Sequence, residues 1–344
     1  MNEIGGNQDT KLTLKERLKR ILTPIGYILT IISFIYIVII LKDSNLNIAK
    51  IGNPIVLVIR MVVLGILSSI FTFMLAYEWK LILEFINESK VNMYDAITVY
   101  CRSNIAKYLP GNVLHLVMRN YMGNQLGWGN AQIAFSSVIE LIFGLGMSAV
   151  NISIFILLGF THIPQNVTFR PDIAKIILYS VGACGMLFAF VLIVFGYRYA
   201  VKRQGVFDSL KYLKNTMQKF FSFRFARLVL QILFISLICF ILNGLLFFGI
   251  CNSMLGMKIS SNDFFSITTI LSIAGFSGII TPGVPGGIGV KESVTVVLAS
   301  LYGYSKSDIF IATIIFRIIF ILADVFPFVI SLILNRVLLK TRNK

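Results

Sequence analysis

Ionisable side chains embedded in apolar sequence are the residues of this chain with the most chemical promise. Arg102, Lys107 and Arg119 cluster around Leu109-Pro110-Gly111, while Glu140, Lys291, Glu292, Arg317 and Asp324 lie within or beside later apolar runs. Charges inside a membrane are costly, so they pair with one another or line a pathway. Glu140 and Arg317 each sit about ten residues inside an apolar run, where reaching the headgroups is hard. They therefore serve either a substrate or each other, as a structural ion pair. Arg317 and Asp324 are two turns apart on one helical face, so both point into the same interior without touching. Arg102, Lys107 and Arg119 have two readings: snorkelling to the headgroups of the inner leaflet, or contact with a substrate.

The second chemical signal is broken backbone. Two apolar regions are cut by Pro and Gly: 96–127 at Pro110-Gly111, and 263–302 at Thr281-Pro282-Gly283-Val284-Pro285-Gly286-Gly287-Ile288-Gly289. Irregular backbone at membrane depth is tolerated only inside protein or beside a wet cavity. At each break a second half-helix starts near mid-membrane, so its free N–H groups and positive dipole end favour an anion. The glycines from Gly286 to Gly289 can shape a nest for a phosphate. A nucleotide loop is excluded, because Lys291 is followed by Glu292 and no GxGxxG follows a strand. His115, between two leucines, reads as a hydrogen-bonded structural residue or a proton relay. Asn112, Asn120 and Tyr121 suit a headgroup or an ordinary interface. Gly123 and Gly127 fit GxxxG inside a polar turn.

These residues need a membrane scaffold to hold them. Of 344 residues, 57% are hydrophobic and 13% charged, against about 25% charged in a soluble domain. A span takes about 20 apolar residues. Six runs qualify: 25–41, 55–77, 131–160, 173–197, 228–250 and 307–335. Residues 78–95 read as an interfacial helix, and each half of the two broken regions reads as too short to cross. Cys101, Cys184, Cys239 and Cys251 show no metal spacing and read as apolar packers. With only His115 and His162 besides, no metal, haem or iron–sulfur cofactor is expected.

Charge sets the expected topology. Segments 1–24, 198–227 and 336–344 carry 17 basic residues, against five in the loops between, so the positive-inside rule places both termini in the cytoplasm. The net charge of +16 is then mostly topological and needs no nucleic acid. To keep 198–227 and the tail inside, each broken region must enter and leave on one side. The expectation is an all-α integral protein of the cell membrane, 25–335, with about six spans and two opposed re-entrant hairpins. An inverted repeat, 96–160 and 263–335, follows from that order; two Pro/Gly-kinked full spans are the alternative.

The segment Asn104-Ile-Ala-Lys-Tyr-Leu-Pro-Gly-Asn-Val-Leu-His-Leu-Val-Met-Arg119, with Glu140 in the next span, resembles the lysylphosphatidylglycerol synthase transmembrane-region family, as does Thr281-Pro-Gly-Val-Pro-Gly-Gly-Ile-Gly-Val-Lys-Glu292. The resemblance covers about residues 20–335. It implies a membrane part that moves aminoacylated phosphatidylglycerol between leaflets. By carry-over, Tyr108, Pro110, Gly111 and Arg119 form the inner half of a translocation site. Pro282, Gly283, Gly286, Gly287, Gly289 and Glu292 form the outer half, with Glu140 and Arg317 between. The soluble synthase domain of the bifunctional members is not expected in the tail 336–344, nor is its transferase activity.

The leading expectation is a lipid translocase for a phosphate-bearing headgroup, with anionic, aminoacylated or polyprenyl-phosphate lipids as partners. Two alternatives stand. One is a membrane-embedded lipid transferase using Glu140, Glu292 or His115; the other is a non-transporting partner of a separate synthase or glycosyltransferase.

Overall fold

A computed structural model of the chain describes residues 53–108, 114–161, 222–281 and 285–342. The expected spans 25–41 and 173–197, Cys184, most of the basic loop 198–227 and the end of the tail lie outside the described residues. Within them the chain is helical: α1 (Pro54–Asn87), α2 (Met93–Asn104), α3 (Leu114–Gln125), α4 (Asn130–Leu157), α5 (Phe223–Gly249), α6 (Phe264–Ile280), α7 (Val290–Leu301) and α8 (Lys306–Arg342). No strand occurs among the described residues. Five helical segments, 54–87, 130–157, 223–254, 261–280 and 306–333, are long and apolar enough to cross a membrane. The protein is thus an all-α, multi-pass membrane protein.

Local sequence explains where these helices stop. Asn53 accepts the Ile55 N–H at 2.9 Å and Pro54 opens α1, whose missing N–H costs nothing at that position. At the far end Glu88 adopts a left-handed conformation, φ 54°. Asn92 then caps α2 through the Tyr94 N–H. The end of α3 closes on Gly123 and Gly127, where the Trp128 N–H donates to the Gly123 carbonyl. A Cβ on Gly123 would lie 2.8 Å from the Ile133 side chain. The Gly123/Gly127 pair therefore serves a turn and its packing, with no need for a partner helix.

Two sequence expectations change. Residues 78–87 are not a separate interfacial helix but the end of α1, because Trp79, Ile82 and Leu83 are completely buried among α2, α4 and α5. The first half of the second broken region is also long enough to span: the break falls after Ile280, leaving 20 residues from Ser261. In the first region, α2 and α3 have 12 residues each, about 18 Å at 1.5 Å per residue, which is short of a 30 Å core. Both regions fold back on themselves, α2 against α3 and α6 against α7.

The largest interface among the described helices joins α1 to α8. Phe71 and Phe320 pack at 5.2 Å there, and Gly65 lets the backbones approach: a Cβ on it would lie 2.6 Å from Leu322 Cβ. Leu322 Cβ is fixed to its own backbone and cannot swing away. Gly65→Ala should therefore cost about 1–3 kcal/mol by overpacking, read as a lower unfolding midpoint of the detergent-solubilised protein.

Candidate functional site

Arg119 and Glu140, and Lys107, Lys291, Glu292, Arg317 and Asp324, form two groups. The first clasps the α2–α3 hairpin to α4. Arg119, on α3, is 1% exposed and forms an ion pair with Glu140 of α4. Its guanidinium lies over the rings of both Trp79 and Tyr100, 4.9 and 4.3 Å from their centroids. The Tyr100 hydroxyl donates to the other Glu140 oxygen at 2.9 Å. Trp79, from α1, donates to Ser136 Oγ at 3.0 Å. Arg119 is therefore shielded from lipid and water by four helices.

The second group forms where the described residues beside the two breaks meet. The turn Ile105–Tyr108, which ends α2, touches the turn Pro285–Gly287. A Cβ on Gly286 would lie 3.5 Å from the Arg317 guanidinium and 4.0 Å from the Tyr108 ring. Gly286, Gly287 and Gly289 have φ of 58°, 72° and 84°, a region open to glycine. The break thus needs these glycines for conformation, and Gly287 also for its approach to Gly278, whose Cα an added Cβ would meet at 3.0 Å.

Asp324 of α8 anchors this junction. One carboxylate oxygen accepts from Thr72 Oγ1 at 2.9 Å and Asn104 Nδ2 at 2.7 Å. The other accepts from the Tyr108 hydroxyl at 2.6 Å and Lys107 Nζ at 2.7 Å. Four donors from α1, α2 and the first break saturate a group that is 4% exposed.

Arg317 does not pair with Glu140. It pairs with Glu292 of α7, and the other Glu292 oxygen accepts the Gly289 N–H at 2.7 Å. The expectation that the start of the second half-helix awaits an anion is thereby corrected: the protein's own Glu292 caps α7. The cation left over is Lys291. Its aliphatic chain runs between Gly278 and Gly287, where an added Cβ would lie 2.5 and 2.8 Å from Lys291 Cε. The Lys291 ammonium has neither a hydrogen bond nor an ion pair among the described residues. Lys107, Arg317, Glu292 and Asp324 are its electrostatic neighbours.

The other candidates are placed differently. Arg102 ties α2 to α8, its guanidinium donating to the Ser331 carbonyl and hydroxyl at 2.6 and 3.2 Å. His115 sits within electrostatic reach of Arg119 and Lys107, and its Nδ1 is buried without a partner among the described residues. Asn120 bridges to the Asn130 carbonyl at 2.8 Å, and Tyr121 is exposed. Pro110, Gly111, Asn112, Pro282 and Gly283 lie outside the described residues. Cys101 and Cys251 are buried and free, Cys239 half-buried.

Sequence reasoning missed Thr72, Trp79, Tyr100 and Asn104, whose types are ordinary in membrane helices. It also missed Glu78, which is 6% exposed on α1 and has no hydrogen bond or ion pair among the described residues. Glu140, Tyr100 and Cys239 are its neighbours. Reading 78–95 as interfacial had hidden it. The continued apolar spacing Ala76, Trp79, Leu83 was the available signal.

Two broken hairpins, meeting around buried ion pairs within a bundle of membrane helices, define a polytopic membrane protein with a polar junction in its interior. The chain belongs to the family described as "Lysylphosphatidylglycerol synthase TM region", which matches residues 25–326. Comparison with curated proteins gives no match, nor does comparison with solved structures.

The Arg119–Glu140 pair generates a prediction. Glu140→Ala leaves a buried guanidinium without its counter-charge and should cost about 3–5 kcal/mol. The apolar double substitution Arg119→Met/Glu140→Met should recover much of that loss, measured by thermal unfolding in detergent. A double variant no more stable than Glu140→Ala would refute the pairing.

Proposed function

We propose that this chain moves a phosphate-bearing lipid headgroup across the bilayer through the junction of the two breaks, while the acyl chains stay in lipid. The observation that carries this reading is the charge of the junction. Lys107, Arg317 and Lys291 face two carboxylates, and each carboxylate is already engaged, Asp324 by Lys107 and Glu292 by Arg317. Lys291 is the surplus cation at the point where the breaks meet. In a site of low dielectric an unmatched ammonium favours an anion strongly, and a phosphate supplies one.

The arrangement favours transport over transfer chemistry. Glu140 is held by Arg119 and Tyr100, and Glu292 by Arg317 and the α7 cap. Each carboxylate is thereby held by the protein's own donors. The family points towards lysylphosphatidylglycerol, and the unpartnered carboxyl of Glu78 suits a headgroup that carries an amine beside its phosphate.

Purified protein in liposomes should accelerate leaflet exchange of fluorescent phosphatidylglycerol, read by quenching from outside. Lys291→Met should slow exchange about tenfold, the worth of one hydrogen bond to a charged group, with the fold retained. Wild-type protein that exchanges no anionic, aminoacylated or polyprenyl-phosphate lipid would sink the reading. Glu78→Gln should selectively slow an aminoacylated lipid relative to phosphatidylglycerol, and equal slowing of both would remove Glu78 from headgroup selection.

A further inference from the structure

A cleft of about 810 Å³ lies between the end of α1, the turn that follows it and the start of α5. It begins where the lipid-facing surface of α1 ends. Exposed apolar residues run along that helix from Ile55 to Leu75, and Tyr77 and Lys80 then line the cleft. Five residues from Leu75 to Lys80 are about 8 Å of helix, so the cleft lies just beyond the exposed apolar stretch of α1. It is also separate from the junction of the breaks: none of its lining residues belongs to the junction, and Tyr77, the first on α1, lies about 8 Å along the helix beyond Thr72.

The lining carries four cations, Lys80, Lys90, Arg224 and Arg227, and two carboxylates, Glu84 and Glu88. Glu84 is committed to the protein. It pairs with Lys80 at 2.8 Å and accepts the Val91 N–H at 2.9 Å, which closes the turn after α1. Lys90, Arg224 and Arg227 have no hydrogen bond or ion pair among the described residues. Behind them the walls are firm: Trp79, Ile82 and Leu83 are fully buried, and Phe85 packs on Phe225 at 5.7 Å, tying α1 to α5. The cleft is therefore preformed and cationic. Its volume is within the range of small-molecule sites, about 300–1,000 Å³.

We propose that this cleft is a second binding site, for a phosphate group presented at the membrane surface. The two guanidinium groups supply planar forks that match phosphate oxygens, and Lys90 supplies a third charge. Tyr77 and Phe85 offer apolar wall to the part of a lipid just below its headgroup. The site stands on its own geometry and does not rest on translocation through the junction.

The test uses the full chain in detergent, with native mass spectrometry counting retained phosphatidylglycerol against phosphatidylcholine. Inorganic pyrophosphate serves as the soluble competitor. Lys90, Arg224 and Arg227 are exposed, so Lys90→Gln/Arg224→Gln/Arg227→Gln should fold. It should retain phosphatidylglycerol at least about tenfold less well, the worth of a single hydrogen bond to a charged group. Arg224→Lys/Arg227→Lys should keep part of the retention, and the triple substitution should lower retention by the same factor whether residue 291 is Lys or Met, which separates this site from the junction. Preference for phosphatidylglycerol that pyrophosphate does not displace identifies a lipid headgroup as the ligand. Pyrophosphate bound by wild type but not by the triple variant, without lipid preference, identifies a soluble phosphate. Equal retention by wild type and triple variant, with pyrophosphate bound by neither, overturns the proposal.

Discussion

A carboxylate inside a membrane helix must find every donor within the protein, because hydrocarbon offers none. Asp324 meets that requirement four times over, with Thr72, Asn104, Lys107 and Tyr108. Much else follows from this one group. It ties α8 to α1 beside their glycine-mediated contact, holds the end of α2, and sets Tyr108 against Gly286 of the second break. Without Asp324, Lys107 would be a second unmatched cation, and the turn that ends α2 would lose the contacts that locate it.

The two hairpins are secured to the long helices after them by the same device with its signs reversed. In the first, the hairpin supplies Arg119 and the following helix supplies Glu140; in the second, the hairpin supplies Glu292 and the following helix supplies Arg317. Buried ion pairs contribute little net stability compared with apolar packing. Their contribution here is positional. Helices of 12 residues such as α2, α3 and α7 are marginal on their own, and a charge that tolerates only one partner fixes where each must dock. Arg119 also gains from the Trp79 and Tyr100 faces, so its clamp is rigid. Arg317 shares its partner Glu292 with the α7 cap, which links the position of the second break to the start of its half-helix.

Much of the scaffold was legible in the chain because hydropathy acts locally: the runs at 55–77, 228–250 and 307–335 fall within long helices, and 131–160 overruns its helix by three residues. The breaks were legible for the same reason, since Pro and Gly interrupt a helix wherever it stands. Boundaries were less so. Residues 78–87 carry charges that suggested an interface, yet Trp79 and Leu83 bury one face while Lys80 and Glu84 pair along the other.

The sequence by itself determined the class of protein, the places where its helices break and which charges must be sheltered, because burial cost and backbone geometry belong to each residue. Only the tertiary structure decided who pairs with whom. Glu140 takes Arg119 and Arg317 takes Glu292, although all four had been equally available. Glu292, 32 residues before Asp324, caps its own helix, while Asp324 reaches back across the chain to Asn104 and Thr72. Such pairings depend on which helix faces are brought together in space, and that is a property of packing that no local pattern encodes.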